Sequence, residues 1–160
     1  MPDPQCVVVA SVLLERERRF LLIQEAKTEC RGKWFLPGGR ADAGESILAA
    51  AVREVREEAG LLAEIAGLLY IDQLAGSAAG GNAGRIRFVF TGRATGGTLK
   101  QTEDEHSIRA GWFSEEEIGG LDLRSPFVRT VLRARRENPA PLPAAMVHVL
   151  TPGEILLERP

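Results

Sequence analysis

The sequence predicts an α+β fold, a mixed β-sheet with helices on its faces. Three observations carry that expectation. β-branched and aliphatic runs recur along the chain, one segment near residue 50 has a strong helical stripe, and strands and helices do not alternate regularly. The last of these argues against a doubly wound parallel sheet. The chain has 160 residues, the size of one ordinary domain, and a chain this long buries a core without disulfide or metal staples. Residues 1–160 therefore read as one domain, with 139–160 as a C-terminal extension.

Residues 7–14 and 20–23 are apolar runs separated by Glu15-Arg16-Glu17-Arg18-Arg19, which predicts two strands joined by a charged turn. Residues 26–33 are polar and read as a loop. Trp34-Phe35-Leu36 reads as a short strand that Pro37-Gly38-Gly39 stops. Between Glu45 and Ala59, Leu48, Ala51, Val52, Val55 and Ala59 recur at spacings of three and four, one apolar stripe of a helix that Gly60 ends. Residues 61–71 read as strand and the glycine-rich 75–84 as a mobile loop. In the strand predicted over 85–91, Phe88 and Phe90 share one face and Arg85 and Arg87 the other. Gly96-Gly97 reads as a turn and 108–113 as a strand. Ser114 caps a short helix over 115–118, and Ser125 starts another reaching about Arg136. Met146–Leu150 and 155–157 read as a last hairpin around Pro152-Gly153.

Composition excludes several function classes. The chain is 44% hydrophobic and 26% charged with a net charge of −2. That is a globular balance, not the basic excess of a nucleic-acid binder or a polybasic membrane-surface protein. No run approaches the ~20 apolar residues of a membrane span. The N-terminal apolar run lacks a basic leader and does not read as a signal peptide. Two cysteines, Cys6 and Cys30, form no disulfide framework; a reducing, cytoplasmic setting fits.

Glu54, Glu57 and Glu58 lie at i, i+3 and i+4 of the predicted helix, so their carboxylates leave one side within a turn. Like charges so placed repel, and Arg53 and Arg56 offset only part of this. A bare acidic helix face is usually solvated. Three clustered carboxylates are also a good set of hard ligands for magnesium or manganese. The surrounding frame decides between these. Gly39, Glu45, Arg53-Glu54-Val55, Glu57-Glu58 and Gly60-Leu61 spell G-x5-E-x7-R-E-U-x-E-E-x-G-U, where U is aliphatic. The chance of such a match at one start is on the order of 10⁻⁹ at average residue usage. This is the Nudix box, and the chain resembles the Nudix hydrolase superfamily over residues 7–136.

That resemblance implies the Nudix fold, a mixed β-sheet sandwiched between α-helices (α/β/α). It implies hydrolysis of a nucleoside diphosphate linked to another moiety, with Mg2+ or Mn2+ as cofactor. By resemblance, Glu57 and Glu58 are metal ligands, and Glu54 is either a ligand or the base that activates water. The Gly38 carbonyl completes the shell, Arg53 orients a ligand carboxylate, and Glu45 anchors the loop to the helix. Gly39 lets the backbone approach phosphates, and Arg40 is a candidate phosphate contact. Many family members add an acid from a later loop; Glu105 is the first choice and Glu103 the second, with His106 beside them.

The stretch FLLIQEAKTECRGKWFLPGGR is similar to the animal branch of the family that hydrolyses oxidised guanine nucleoside diphosphates. The chain departs from that branch across 75–84. Nucleoside di- and triphosphates, including oxidised guanine forms, are thus the first substrate class. ADP-ribose and other sugar nucleotides, dinucleoside polyphosphates and a non-catalytic nucleotide-binding role are the alternatives. Base recognition needs an aromatic wall, for which Trp34 and Phe88 are the first candidates among Trp34, Phe35, Tyr70, Phe88 and Phe90. Arg31 before Trp34 is a candidate guide for an anionic ligand. The expected partner is a small nucleotide, with no membrane and no stable nucleic-acid binding. A homodimer through the apolar C-terminal segment is the remaining expectation.

Overall fold

In the computed structural model, which describes residues 6–76 and 83–147, the elements follow the order β1 (Cys6–Arg16), β2 (Arg19–Glu25), β3 (Trp34–Phe35), β4 (Gly38–Arg40), α1 (Ile47–Ala59), β5 (Leu61–Leu74), β6 (Gly84–Gly97), β7 (Ser107–Ser114), α2 (Glu115–Gly119), α3 (Phe127–Glu137) and β8 (Leu142–Pro143). The long strand β1 organises them. Its first part lies parallel to β6, with Val9 opposite Arg87 and Ala10 opposite Phe88. Its last residues turn back as a hairpin with β2. Across the described residues the strand path is β3-β2-β1-β6-β5-β8, with β4 against β1 and β7 against β2. The sheet is therefore mixed, as expected.

Two apolar layers sandwich it. On one face Ala50, Ala51, Val55 and Ala59 of α1 pack on Ala10, Val12, Leu14 and Phe90. On the other, Ile118 of α2 and Val128, Val131 and Leu132 of α3 pack on Leu13, Leu22, Phe35 and Val89. Alternation along β1 sends even residues to the α1 face and odd ones to the other. That geometry decides which strand residues can reach a site on either side.

Several boundaries differ from the sequence reading. The charged turn is only Glu17-Arg18, both at positive φ (52° and 60°), while Glu15 and Arg16 pair with Phe20 and Arg19. A two-residue turn with both positions left-handed matches strand twist. Gly38 and Gly39 do not stop a strand; they form one, with Ala10 opposite Gly39 and Ser11 opposite Gly38. A side chain at Gly38 would collide with the Ala10 carbonyl and Ser11, so close approach, not chain breaking, explains that glycine. Gly96 and Gly97 likewise pair with Leu62 and Leu61 rather than making a free turn. The first helix starts at Ile47, capped by the Ser46 hydroxyl on the Ala49 amide, and ends at left-handed Gly60 (φ 73°).

The predicted loop over 75–84 and the predicted last hairpin lie largely outside the described residues. Within the described part of 139–147, Leu142 and Pro143 pair with Leu68 and Gly67 at the edge of β5. Met146, expected in a strand, sits in a 3-10 turn over Ala144–Met146 and is exposed. Among the described residues no helix is long and apolar enough to cross a membrane.

Candidate active site

The β4 strand runs directly over the face of α1 that carries the acids. The Gly38 amide donates to Glu58 Oε2 at 2.8 Å, and a side chain on Gly39 would occupy the place of the Glu54 carboxylate. The acids are therefore not a solvated helix face. Glu54 is 8% exposed and Glu58 4%, while Glu57 is half-buried. The helix period places the three together, and the two glycines let the β4 backbone close over them.

Arg53 holds the arrangement. Its Nε and Nη2 donate to Glu45 (2.8 and 2.9 Å), its Nη1 donates to Glu54 Oε1 (2.9 Å) and Glu57 Oε2 (3.0 Å), and its Nη2 also reaches the Arg40 carbonyl (2.9 Å). The Arg53 guanidinium, chiefly through these bonds, holds the Glu45 carboxyl down to about 2, and Glu45 in turn raises Arg53. The neighbours go the other way. Burial pushes the Glu58 carboxyl up to about 8, with the charges of Glu54 and Glu25 adding to it and the Gly38 amide opposing. Burial likewise raises Glu54, against the pull of Arg53.

A loop before β7 closes the near side. Lys100 Nζ donates to the Glu57 carbonyl (2.6 Å) and the Ser107 hydroxyl to the Glu58 carbonyl (2.6 Å). These bonds tie the loop to the end of α1 and bring Glu105 and His106 alongside. His106 lies 4.0 Å from Glu57 and 3.5 Å from Glu105.

The result is a cleft of about 630 Å³, within the usual range for a small-molecule site. Gly38, Gly39, Arg40 and Arg53 line it, as do Glu54, Glu57, Glu58 and Glu105. Three other predicted residues lie elsewhere. Phe88 packs against the core under α1, on the sheet face away from the cleft. Trp34 lies on a separate hollow of about 360 Å³ with Arg109 and Gly111, edge-on to Phe113. Arg31 pairs with Glu103 at 2.8 Å outside the cleft.

Sequence reasoning left several lining residues uncommitted. Phe35, Arg85, Arg87 and Arg124 also line the cleft. The Arg-x-Arg alternation in β6 signalled the first two arginines. No local signal marked Arg124. It arrives because β3 and the α2–α3 connection are stitched together: the Trp34 amide donates to the Asp122 carbonyl (2.8 Å) and the Arg124 amide to the Trp34 carbonyl (2.9 Å). Arg124 then pairs with buried Glu25 at 2.6 Å and lies over the Phe35 ring at 4.9 Å. Arg87 is the most deeply placed, and burial, with Arg85 beside it, lowers its pKa to about 10.

The carboxylate end suits a divalent cation. It presents hard oxygen donors, two of them buried and raised by burial and mutual repulsion, and a nearby double positive charge relieves both effects. Arg53 occupies one oxygen each of Glu54 and Glu57, leaving Glu54 Oε2 and Glu57 Oε1 without a hydrogen bond among the described residues. As they stand, no three acidic, histidine or cysteine groups among the described residues are gathered tightly enough to enclose an ion.

Comparison with known proteins agrees with this architecture. The NUDIX domain model matches residues 4–134. An 8-oxo-dGDP phosphatase of Mus musculus is 48% identical over 110 residues, covering 68% of this chain and 32% of its own length. The 8-oxo-dGDP phosphatase of Homo sapiens is 46% identical over the same shares. The chain thus spans about a third of the length of these curated relatives. Among solved structures, a NUDIX hydrolase from Nitrosomonas europaea superposes with a TM-score of 0.78 at 26% identity, covering 91% of this chain and 98% of that one.

Proposed function

The chain belongs to the Nudix hydrolase family, and from that premise we propose that it is a divalent-metal-dependent pyrophosphohydrolase of small nucleotides, with oxidised guanine nucleoside diphosphates as its leading substrates. The substrate part of this reading is supported by the relatives named as 8-oxo-dGDP phosphatases. The observation that carries the reaction is the gathering of Glu54, Glu57 and Glu58 on one wall of the cleft, the first two held by Arg53 and the third by the Gly38 amide.

In this reading the Gly38 carbonyl, Glu54, Glu57 and Glu58, with Glu105 from the facing loop, would hold Mg2+ or Mn2+. Bound there, the ion supplies positive charge to the phosphate oxygens and acidifies a water. The chain's own residues do the rest. Arg53 fixes the Glu54 and Glu57 carboxylates in place, Glu57 as a ligand and Glu54 either as a ligand or as the base that takes a proton from the attacking water. Gly39, with no side chain, leaves the β4 backbone open to a diphosphate. Arg40 at the mouth offers charge to the departing phosphate. Phosphoryl transfer asks for positioning and charge more than for covalent help, and this arrangement provides both. A reducing, cytoplasmic setting is supported by the free thiols of Cys6 and Cys30. A homodimer is supported by exposed Leu62, Ile71 and Leu74 on β5.

The test is a hydrolysis panel with Mg2+ or Mn2+: canonical and 8-oxo guanine di- and triphosphates, ADP-ribose, a sugar nucleotide and a dinucleoside polyphosphate. Selective turnover of the oxidised guanine diphosphate is expected. Losing an outer partner of a metal site costs about 10–100-fold, so Glu57→Gln, which removes a direct ligand, should lower turnover by more than about a hundredfold with the fold intact. Silence on every substrate with nucleotide still bound would replace the hydrolase with a binding module.

A further inference from the structure

Arg87 lines the cleft and makes no ion pair among the described residues, although Asp72 lies opposite it on β5. It is 7% exposed, and its Nε has no hydrogen-bond partner. Its close neighbours are aromatic: the guanidinium carbon lies 4.1 Å from the centre of Phe127 and 5.5 Å from that of Phe35. Cation–π contact offsets only part of the cost of burying a charge. Arg85 reaches Asp72 at 3.6 Å, and Arg124 holds Glu25 at 2.6 Å. Three guanidinium groups thus share two carboxylates, leaving one positive charge. A buried group that costs stability and gains no partner in the fold is expected where a ligand completes it.

We propose that Arg87 is a specificity-determining residue whose guanidinium donates to the 6-oxygen of an oxopurine base, while the diphosphate lies at the carboxylate end of the cleft. The proposal rests on reading the cleft as a nucleotide site. A guanidinium only donates. Guanine presents an oxygen acceptor at position 6, where adenine presents an amino donor, so the same guanidinium attracts one base and opposes the other. The setting fits a base better than a second phosphate. The Phe35 ring beside Arg87 offers a flat apolar wall, and the other two guanidinium groups there, Arg85 and Arg124, are already engaged by Asp72 and Glu25.

The experiment uses the full chain and nucleoside monophosphates, which contain no diphosphate linkage to cleave. Binding of GMP, 8-oxo-GMP and AMP is measured by calorimetry for wild type, Arg87→Lys and Arg87→Met, together with melting temperatures. Wild type is expected to prefer GMP over AMP by on the order of tenfold, the worth of one good arginine–base pair, and 8-oxo-GMP over AMP by less, because its position 7 carries a hydrogen and leaves the 6-oxygen alone to accept. Arg87→Met should erase that preference and melt higher, because an apolar side chain replaces an unpaired buried charge. Arg87→Lys, which keeps the charge and loses the fork, should recover only part of it. The proposal is overturned if the preference survives in Arg87→Met, if all three ligands weaken equally, as a phosphate contact would make them, or if Arg87→Met melts lower, which would make Arg87 a strut. Because no hydrolysis is read, a silent substrate panel with an intact guanine preference would defeat the hydrolase reading alone. Turnover without base preference would defeat only the role of Arg87.

Discussion

At the α1 end of the cleft, Glu45, Glu54 and Glu57 crowd round the single guanidinium of Arg53; at the β6 end, three arginines share Asp72 and Glu25. Each end carries an excess of one sign that the fold does not neutralise. Buried charge without a partner is destabilising, so both ends spend stability, and in opposite currencies: one lacks a cation and the other an acceptor. A nucleotide bound with a divalent ion supplies both at once. The two ends also differ in rigidity. Arg53 makes bonds to three carboxylates and a carbonyl, whereas Arg87 is held by packing between aromatic rings.

The largest effect should come from breaking the hub of the acidic end. Arg53→Lys keeps the charge but cannot reach Glu45, Glu54, Glu57 and the Arg40 carbonyl together. Turnover should fall by about 10–100-fold, the usual cost of losing an orienting partner of a metal site, while guanine preference in monophosphate binding stays as in wild type. Steady-state kinetics beside calorimetry reads both. Equal damage to the two readouts would mean that the ends of the cleft are not separable.

The two ends were not equally legible in the sequence, and the reason is physical. The acidic end comes from one continuous segment, residues 39–61, so helical spacing alone places its carboxylates together. The arginine end joins β2, β3, β6 and the α2–α3 connection, and its members meet only through the parallel β1–β6 pairing and the stitching of Trp34 to the segment around Arg124. Phe88 is expected in the cleft and Arg124 carries no site role in the sequence reading, because facing across a sheet depends on pairing that no local pattern states. Burial was hidden even in the legible half. Glu54 and Glu58 sit on the polar side of α1 by periodicity, yet that side faces β4 rather than water. Glycines misled in one consistent way: Gly38 and Gly97 read as breakers, while the fold uses their missing side chains to bring strands close.

A smaller effect, on stability rather than rate, sharpens the contrast within the acidic end. Glu58 titrates near 8 in the fold against an ordinary 4.5. In the unfolded chain it loses its proton first, so without metal its contribution to stability falls as pH rises from about 4.5 to 8. Glu45, held near 2, does the reverse: its contribution is complete above about 4.5 and is lost as pH falls toward 2. Metal-free melting temperature should therefore decline from mildly acidic to slightly alkaline pH. Mg2+ or Mn2+ should remove much of that decline by binding the ionised carboxylate. Glu58→Gln should flatten the alkaline limb and weaken the effect of the cation. A cation effect unchanged in Glu58→Gln would place the ion away from this carboxylate.

The smallest expected differences lie in the loop facing α1, where Glu103 and Glu105 are two residues apart but differently engaged. Glu103 is turned outward onto Arg31 at 2.8 Å, and that guanidinium holds its carboxyl below the usual range. Glu105 lines the cleft beside His106, with its side chain 87% exposed and free to swing inward. Glu103→Gln should leave turnover and melting temperature nearly unchanged, since an exposed ion pair contributes little. Glu105→Gln should lower turnover on the order of tenfold, less than loss of Glu57, because its carboxylate joins the site only by ordering an exposed side chain. The reverse ranking would mean that Arg31 holds the working acid outside the cleft until a nucleotide binds, and the loop rather than the helix would then set the rate of assembly.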